Sequence, residues 1–238
     1  MSRLYYDLHI HSCLSPCGDN DMTPANIVGM AMLKELDVIA VTDHNTCRNC
    51  AAVMKAAEGS GLVVIAGMEL CTEEEIHTVC LFEQLEDALD FDEYVREHSP
   101  LFDNDPAIYG RQILMNEADD ELGEIPHLLV SASGIGIYDL PDLMERFHGI
   151  WFPAHIDKSA YSVTASLGTV PDDLGFRVAE IAKPQKIDAM CEQYPQLHTV
   201  RIVTDSDAHY LWDISERYYA IEADEKSVSA FLKALQTV

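Results

Sequence analysis

One arrangement recurs along this sequence and constrains the fold more than any other feature. A short β-branched or apolar run carries, or leads into, a histidine, an aspartate or a glutamate. Runs of about four to eight such residues are typical of buried strands. In a parallel α/β barrel the carboxyl ends of the strands meet at one rim, where active sites are built. The pattern therefore predicts a rim lined with imidazoles and carboxylates, namely His9, His11, Asp43, His44, Glu69, His77, His155, Asp207 and His209.

The first of these runs ends in two histidines that are one residue apart, His9 and His11. Because side chains in a strand alternate between its two faces, both imidazoles are expected to project from the same face. Asp7 shares this period, and we expect it to orient a ligand rather than to bind metal itself. Asp43 is expected to orient His44 in the same way.

Loops and helical patterns separate the runs, as a β-loop-α-β chain requires. Thr23-Pro24 predicts a helix that begins there, with threonine as N-cap and proline at the first helical position. The acidic link 72–75 is too short for a crossover helix, so the strands on either side are expected to pair antiparallel or to kink away from regular geometry. Residues 85–98 and 105–122 are charged and amphipathic, and they predict two helices.

Length and charge limit the classes of protein. At 238 residues the chain fits one α/β barrel, and we expect a single domain over residues 1–238 with an irregular helical insertion or lid at about 84–149. The chain has 41 acidic and 15 basic residues and a formal net charge of −26. This charge repels phosphate backbones and disfavours bulk nucleic-acid binding. Bound divalent cations would still attract a small anion locally.

The amino terminus lacks the pattern of a signal peptide, and no apolar run approaches the roughly 20 residues that span a bilayer. With seven cysteines, an odd number, reduced thiols in the cytoplasm are the expected state. Two pairs of cysteines follow the first two runs, and four thiolates there would suit a structural zinc or an iron–sulfur cluster. Free, packed thiols are the favoured interpretation of Cys13, Cys17, Cys47 and Cys50.

The donor types define a chemistry. Imidazole nitrogens and carboxylate oxygens together suit zinc, manganese or iron(II). They are more numerous than one ion can use, which predicts two or three divalent ions. Two ions about 3.5–4 Å apart can hold a hydroxide between them and neutralise a transferring phosphoryl group. The sequence therefore predicts a phosphoester hydrolase that uses a metal-bridging hydroxide and no protein nucleophile.

The same residues resemble the PHP (polymerase and histidinol phosphatase) family over residues 7–209. Asp7-Leu8-His9-Ile10-His11-Ser12 is similar to its first motif, Thr42-Asp43-His44-Asn45 to its second, Ala154-His155 to its third and Ser206-Asp207-Ala208-His209 to its fourth. The resemblance implies a distorted (β/α)7 TIM-like barrel with a trinuclear metal cluster at its rim. It also implies a metal-dependent phosphoric ester hydrolase.

Ligand sets follow from the resemblance alone. It implies that Asp19 completes the third set, because the family places an aspartate five residues before the proline; Asp21 remains a competitor. Asp207 and His209 are the candidates to manage the proton during catalysis. The three implied sets are His9, His11, Glu69 and Asp207; Glu69, His77 and His155; and His44, His209 and Asp19.

Three cations are candidate contacts for the substrate phosphate: Lys158, Lys183 and Arg48. The predicted substrate is a small phosphorylated metabolite. Three alternatives stay open: an exonuclease or oligonucleotide phosphodiesterase, a non-catalytic metal-binding regulatory module, and an amide hydrolase. Neither the metal, the choice between monoester and diester, nor the oligomeric state follows from the sequence.

Overall fold

Ten strands and seven α-helices make up the computed structural model, which describes residues 1–237. The strands are β1 (Ser2–Ile10), β2 (Val38–Val41), β3 (Val63–Cys71), β4 (His77–Phe82), β5 (Ile113–Met115), β6 (Glu121–Glu124), β7 (Gly149–Pro153), β8 (Val178–Glu180), β9 (Arg201–Val203) and β10 (Ala220–Ala223). The helices are α1 (Pro24–Leu33), α2 (Cys50–Ala56), α3 (Leu85–Glu97), α4 (Leu140–Arg146), α5 (Val163–Leu167), α6 (Ile187–Gln193) and α7 (Val228–Leu235).

The main sheet is mixed and has six strands in the order β10-β1-β2-β3-β4-β7. Strands β1, β2 and β3 are parallel, whereas β4 runs antiparallel to both β3 and β7. The antiparallel pairing across the link 72–75 confirms the expectation from its length. A separate parallel pair, β8-β9, lies beside the sheet, and the bridge from Ile10 to Ala208 connects it to β1. The fold is therefore mixed α/β with a curled sheet.

A bulge near the end of β1 aims the first two histidines. Leu4, Tyr6 and Leu8 pack into one buried apolar cluster, but Ile10 packs into the other. The side-chain period changes because the register between β1 and β2 shifts between Asp7 and Ile10. Bulges commonly re-aim a side chain next to a functional site.

We call the cluster that contains Leu4, Tyr6 and Leu8 the inner apolar cluster, because side chains of the six-stranded sheet and of the β8-β9 pair meet in it. It joins residues of the six-stranded sheet to Val178 of β8 and Val203 of β9, and Phe231 of α7 packs with them. The candidate metal-binding side chains lie at or after the ends of the strands that contribute to this cluster. Within residues 1–237, no helix combines the length and apolarity that a bilayer crossing needs.

Most predicted elements are present, but the helix predicted at 105–122 is wrong. This segment forms the antiparallel hairpin β5-β6 instead. Local turn chemistry decides the outcome: Asn116 Oδ1 accepts the N–H groups of Ala118 and Asp120 at 2.9 Å, and Asp119 has a φ of +63°. These contacts close a turn within a segment that helical periodicity alone would continue. The helix predicted at 85–98 is confirmed as α3.

Helix α1 begins at Pro24 as predicted, but its cap comes from elsewhere in the chain. The Thr23 side chain makes no capping hydrogen bond. Its hydroxyl donates to Asp119 at 2.7 Å, and the other oxygen of Asp119 accepts the Ala25 N–H at 2.9 Å. A carboxylate from the β5-β6 turn thus satisfies the helix terminus, where negative charge is stabilising.

Candidate metal centre

Glu69, near the end of β3, lies at the centre of the histidines that the sequence analysis singled out. Its side chain is only 1% exposed. The nitrogen atoms of His9, His77 and His155 lie 3.1, 2.9 and 3.1 Å from Glu69 Oε1. Those of His11 and His44 lie 3.3 and 3.0 Å from Oε2. We call these six residues, together with Asp207 and His209, the donor cluster.

Hydrogen bonds fix which nitrogen of His9 faces Glu69. His9 Nδ1 lies 2.8 Å from Glu180 Oε2, and both side chains are fully buried. A carboxylate only accepts, so we assign the ring proton to Nδ1. His9 Nε2 then turns a lone pair toward Glu69 Oε1. Two lone pairs at 3.1 Å repel each other unless a proton or a cation lies between them.

His11 is oriented through a serine. The Ser15 hydroxyl donates to Asp43 at 2.7 Å and accepts from His11 Nδ1 at 2.9 Å. It also accepts the backbone N–H of His44 at 3.1 Å. This leaves His11 Nε2 with its lone pair toward Glu69. Asp43, expected to orient His44, instead acts on His11 through Ser15 and accepts two bonds from Ser12.

Asp207 closes the cluster from the loop after β9. Its Oδ1 lies 3.5 Å from His9 Nε2 and 3.3 Å from His11 Nε2. Asp7, expected to orient a ligand, holds the backbone of this loop by accepting the N–H groups of Ser206 at 3.0 Å and Ser215 at 2.9 Å. Asp207 and His155 have φ values of +52° and +29°, which cost energy for residues with a Cβ. The fold therefore maintains strained backbone at two predicted ligands.

The donor atoms fall into three groups whose members lie within 4.8 Å of one another. The first coincides with the set implied for the first ion. The second group contains His44 where the sequence implied His155. The third group contains His11 where the sequence implied Asp19. His155 nevertheless contacts Glu69 directly. The groups are His9, His11, Glu69 and Asp207; His44, Glu69 and His77; and His11, His44 and His209.

The structure does not bring Asp19 into the third group. Asp19 Oδ1 accepts the N–H of Asp21 at 2.8 Å, a local turn contact, and its own N–H donates to the His209 carbonyl at 2.9 Å. That turn holds Asp19 Oδ1 on its own loop, and Asp19 belongs to none of the three groups of donor atoms. Cys17, on the same loop, has its Sγ 3.1 Å from His209 Nε2.

Electrostatics prepares the cluster for positive charge. Burial disfavours charge on His9, but the carboxylates of Glu69, Glu180 and Asp207 outweigh it and raise the pKa of His9 well above its usual value. Burial also opposes charge on Glu69, yet the surrounding imidazoles hold the pKa of Glu69 well below its usual value. Burial lowers the pKa of His44 and of His209 to about 4, which keeps both neutral and able to bind metal at pH 7.

These observations fit divalent cations. Two donor atoms about 2.0–2.1 Å from one tetrahedral zinc ion lie about 3.3 Å apart, close to the separations around Glu69. His44 Nδ1, His155 Nδ1 and Glu69 Oε2 are buried atoms without a hydrogen-bond partner. Unsatisfied buried polar atoms are costly, and two of these, His44 Nδ1 and Glu69 Oε2, lie 3.0 Å apart, which points to a ligand that binds both.

A cleft of about 460 Å³ is lined by residues of the donor cluster and by three lysines. Lys158, Lys183 and Lys186 line it; we call these three residues the lysine rim. Lys158 forms an ion pair with Asp207. Tyr161 also lines the cleft and stacks on His77 with ring centroids 4.8 Å apart.

Arg48, the third predicted phosphate contact, lies outside the residues that line this cleft. Its Nε donates to Asp92 Oδ2 at 3.4 Å. Asp92 also accepts the Thr46 hydroxyl and the Cys47 N–H, so Arg48 belongs to a structural network in the loop before α2. Closeness in sequence to His44 was a poor guide here because that loop turns away from the cleft.

The four cysteines after the first two motifs do not converge. Cys13 Sγ contacts the Ile113 carbonyl, Cys50 Sγ contacts the carbonyls of Val41 and Gly67, and Cys17 faces His209. Within residues 1–237, none of the three groups of possible metal ligands includes a cysteine. Burial, with nearby carboxylates, raises the pKa of Cys13 and of Cys17 to about 12.

Sequence reasoning missed three residues around the site. Glu180 follows two apolar residues in β8 and carried the same strand-end signal as the ligands, although its strand is short. Tyr161 lies in a loop and Lys186 in a short helical turn, where no periodicity marks them. The ends of buried strands can be predicted from sequence because such strands have a characteristic run of apolar residues. Side chains in loops have no such pattern.

Comparison with known proteins identifies the family. The PHP domain family model matches residues 7–139, which is 133 of 238 residues. The chain therefore belongs to the PHP domain family. The match ends before His155, Asp207 and His209, whose placement rests on the structure described above.

Two curated proteins are similar over part of the chain. An uncharacterized protein of Methanocaldococcus jannaschii is 37% identical over 76 residues, 29% of this chain and 44% of that protein. A 5′-3′ exoribonuclease of Haemophilus influenzae is 35% identical over 79 residues, 32% of this chain and 28% of that protein. The matches thus extend over less than half of either relative's length.

Three solved structures have the same fold over almost the whole chain. The lesion-specific endonuclease Q of Pyrococcus furiosus gives a TM-score of 0.73 at 17% identity, over 99% of this chain and 56% of that one. A putative metal-dependent phosphoesterase of Bifidobacterium adolescentis gives 0.60 at 14% identity, over 98% and 96%. An amidohydrolase of Chromobacterium violaceum, solved with bound sulfate, gives 0.61 at 17%, over 97% and 96%. At these identities the likeness shows the fold, and with the family match it supports a metal-dependent hydrolase.

Proposed function

We propose that this protein is a metal-dependent phosphoesterase that acts on a small phosphorylated substrate. One observation carries the proposal: five imidazoles meet the two oxygens of the buried Glu69, and the cleft above them is bordered by the lysine rim. The donor cluster supplies ligands for cations. The lysine rim supplies positive charge for an anion, in a chain whose net charge is −26.

The donor cluster would hold two or three divalent ions, of zinc, manganese or iron. Such ions supply activated water at neutral pH and neutralise phosphoryl charge. Glu69 would bridge between sites, since each of its oxygens faces a different set of imidazoles. Asp207 and His209 would hold a proton at the cleft, and Glu180 and Ser15 would keep His9 and His11 in the tautomers that leave Nε2 free.

The lysine rim would bind and orient the phosphoryl group. Lys158 reaches the donor cluster through its pair with Asp207, so a phosphate there would contact both the ammonium group and the cluster. Lys183 and Lys186 line the same cleft. A volume of about 460 Å³ suits a metabolite, for which typical pockets measure about 300–1,000 Å³.

The architecture proposed for this function is a distorted (β/α)7 barrel in a single domain over residues 1–238. Two observations support closure: the bridge from Ile10 to Ala208, and the inner apolar cluster that joins β8 and β9 to the six-stranded sheet. Residues 84–149 would form an insertion that contains α3 and the β5-β6 hairpin.

A hydrolysis assay tests the proposed function. Purified protein loaded with manganese, iron or zinc is expected to hydrolyse p-nitrophenyl phosphate, and His9→Ala or Asp207→Ala should abolish this. The matched controls are His198→Ala and Asp188→Ala, which change exposed residues outside the cleft. Activity that survives both donor-cluster substitutions would reject the site.

A second candidate is a phosphodiesterase that acts at the end of a nucleic acid. Its support is the partial similarity to an exoribonuclease and the fold of endonuclease Q, which has been solved with a 27-mer duplex. The charge of −26 disfavours it. Comparing hydrolysis of a phosphorylated metabolite panel with that of a 5′-phosphorylated oligonucleotide separates the two. Faster turnover of the oligonucleotide, weakened by salt, would favour the second candidate.

A further inference from the structure

Two main-chain hydrogen bonds hold the backbone of His77, the predicted ligand at the start of β4. Its carbonyl oxygen accepts the N–H of Ala154 at 3.0 Å, and its own N–H donates to the Tyr161 carbonyl at 3.0 Å. Ala154 and Tyr161 are the two ends of the segment 154–161, which follows β7 directly; we call this segment the β7 loop. Because both partners belong to one loop, the β7 loop holds the backbone of His77 at both of its polar groups.

The side chain of Tyr161 holds the imidazole ring as well as the backbone. The rings of Tyr161 and His77 are stacked, with centroids 4.8 Å apart and an angle of 24° between their planes. Aromatic rings at such separations attract each other beyond the effect of buried area. His77 Nδ1 lies 2.9 Å from Glu69 Oε1. The plane of the stacked imidazole therefore decides where this donor nitrogen points.

Hydrogen bonds orient two other histidines of the donor cluster, whereas stacking orients this one. Glu180 contacts Nδ1 of His9, and Ser15 contacts Nδ1 of His11. His77 makes its polar contact through Nδ1, and within residues 1–237 no hydrogen bond holds its Nε2. The stacked tyrosine thus occupies the role that a carboxylate or a hydroxyl group has at the other two ligands.

The backbone at Tyr161 is strained in a way that keeps the ring in place. Its φ is +53°, in the left-handed region that costs energy for a residue with a Cβ. The next residue, Ser162, anchors the chain on both sides: its hydroxyl donates to the Lys158 carbonyl at 2.7 Å and accepts the Ala165 N–H at 3.2 Å. Strained residues persist where the surrounding contacts determine their conformation, and they cluster at functional sites.

We infer that Tyr161 is a positioning residue for the metal ligand His77 and that it acts through its aromatic ring. The inference rests on the proposed metal centre and assigns the orientation of one ligand within it. His77 belongs to the group of donor atoms that also contains His44 and Glu69. The ion in that group should depend on Tyr161, whereas the ion in the group that contains His9 should not.

Stepwise zinc binding to the full chain tests the inference without an activity assay. The metal-free protein is titrated by calorimetry, and bound zinc is counted after dialysis. Tyr161→Leu and Tyr161→Asn remove the ring, and asparagine also suits the left-handed backbone. Both variants are expected to bind one ion about 10-fold more weakly and the others as the wild type does. Tyr161→Phe keeps the ring and should bind zinc like the wild type. The matched control is Tyr138→Leu, which changes an exposed tyrosine outside the cleft.

A double-mutant cycle shows whether the ring acts through His77. In a His77→Ala background, Tyr161→Leu should cause no further loss of zinc affinity. A further loss there would overturn the positioning role, as would unchanged affinity in both ring-removing variants or a Tyr161→Phe variant as weak as Tyr161→Leu. These three outcomes leave the metal centre standing, whereas a wild type that binds no zinc would overturn both proposals. Urea unfolding checks that each variant folds, and Tyr161→Asn decides the test if Tyr161→Leu does not fold.

Discussion

The two walls of the cleft are built in different ways. The donor cluster lies at strand ends and in the loop after β9, and most of it is buried: Glu69 is 1% exposed, and hydrogen bonds to Glu180 and Ser15 orient His9 and His11. The side chains of Lys158 and Lys186, on the lysine rim, are each 42% exposed, and they come from a loop and a short helical turn. Buried strand ends hold several donors at fixed distances, as shared cations require. An exposed rim can adapt to substrates.

The largest expected effect is on the buried wall. Glu69→Gln keeps the shape but removes the charge that both oxygens share, so hydrolysis should fall by about 10³-fold or more, since metal catalysis is worth several kcal/mol. The measurement is kcat/KM with bound-metal content. Glu73→Gln, on the exposed link beyond β3, is the matched control. Full activity in Glu69→Gln would show that the buried wall does not bind the catalytic ions.

Next in size is the effect of orientation within the same wall. Glu180→Gln should weaken metal binding about 10- to 100-fold, because His9 would lose the carboxylate that keeps its proton on Nδ1. Titration calorimetry of the metal-free protein measures this, and Glu222→Gln on β10 is the control. Affinity that does not change would mean that Glu180 serves packing alone.

The exposed wall should respond more weakly and in a different parameter. Lys183→Ala is expected to lower kcat/KM about 10-fold, mainly through KM, since a charge-assisted hydrogen bond contributes about 1.5–3 kcal/mol. Lys233→Ala on α7 is the control, and Arg48→Ala should leave KM unchanged because Arg48 pairs with Asp92. A larger effect from Arg48 than from Lys183 would reverse the assignment of the rim.

These two walls also differ in how far the sequence predicts them. An apolar run followed by a histidine or a carboxylate predicts where Glu69 or His155 lies. The run predicts a buried strand, and in a parallel barrel the side chain at its carboxyl end lies at the rim. Loop side chains follow local turns: the turn at Asp19 holds its Oδ1 on its own loop, and the turn at Asp119 replaced a predicted helix with a hairpin. Such turns depend on contacts that form only in the folded chain.

The smallest expected effect lies away from both walls, at Asp37. Burial raises its pKa, but the hydrogen bonds from Lys226 and from the Tyr5 N–H, with the charges of Lys226 and Arg217, together outweigh burial and hold the pKa below its usual value. A carboxylate whose pKa is lower in the folded than in the unfolded state stabilises the fold at pH values above its unfolded-state pKa, which is about 4. This stabilisation is lost as the pH falls through the folded-state pKa. Asp37→Asn should therefore lower the free energy of unfolding at pH 7 by up to about 1 kcal/mol.

Urea unfolding of wild type and Asp37→Asn between pH 7 and pH 3 measures this difference, with the exposed Asp172→Asn as control. The gap between wild type and variant should narrow as the pH drops below about 4. A gap that stays constant over this range would mean that the carboxylate charge does not contribute.

Counting bound metal in the full chain tests the central claim most directly. After metal removal and reloading with zinc or manganese, dialysed wild-type protein should retain two or three ions per chain, and Glu69→Gln should retain fewer. Ions at 100 times their dissociation constant should also stabilise the fold by about 2.7 kcal/mol per site. A wild type that retains no ion, with the same thermal stability in the presence and absence of metal, would contradict the account.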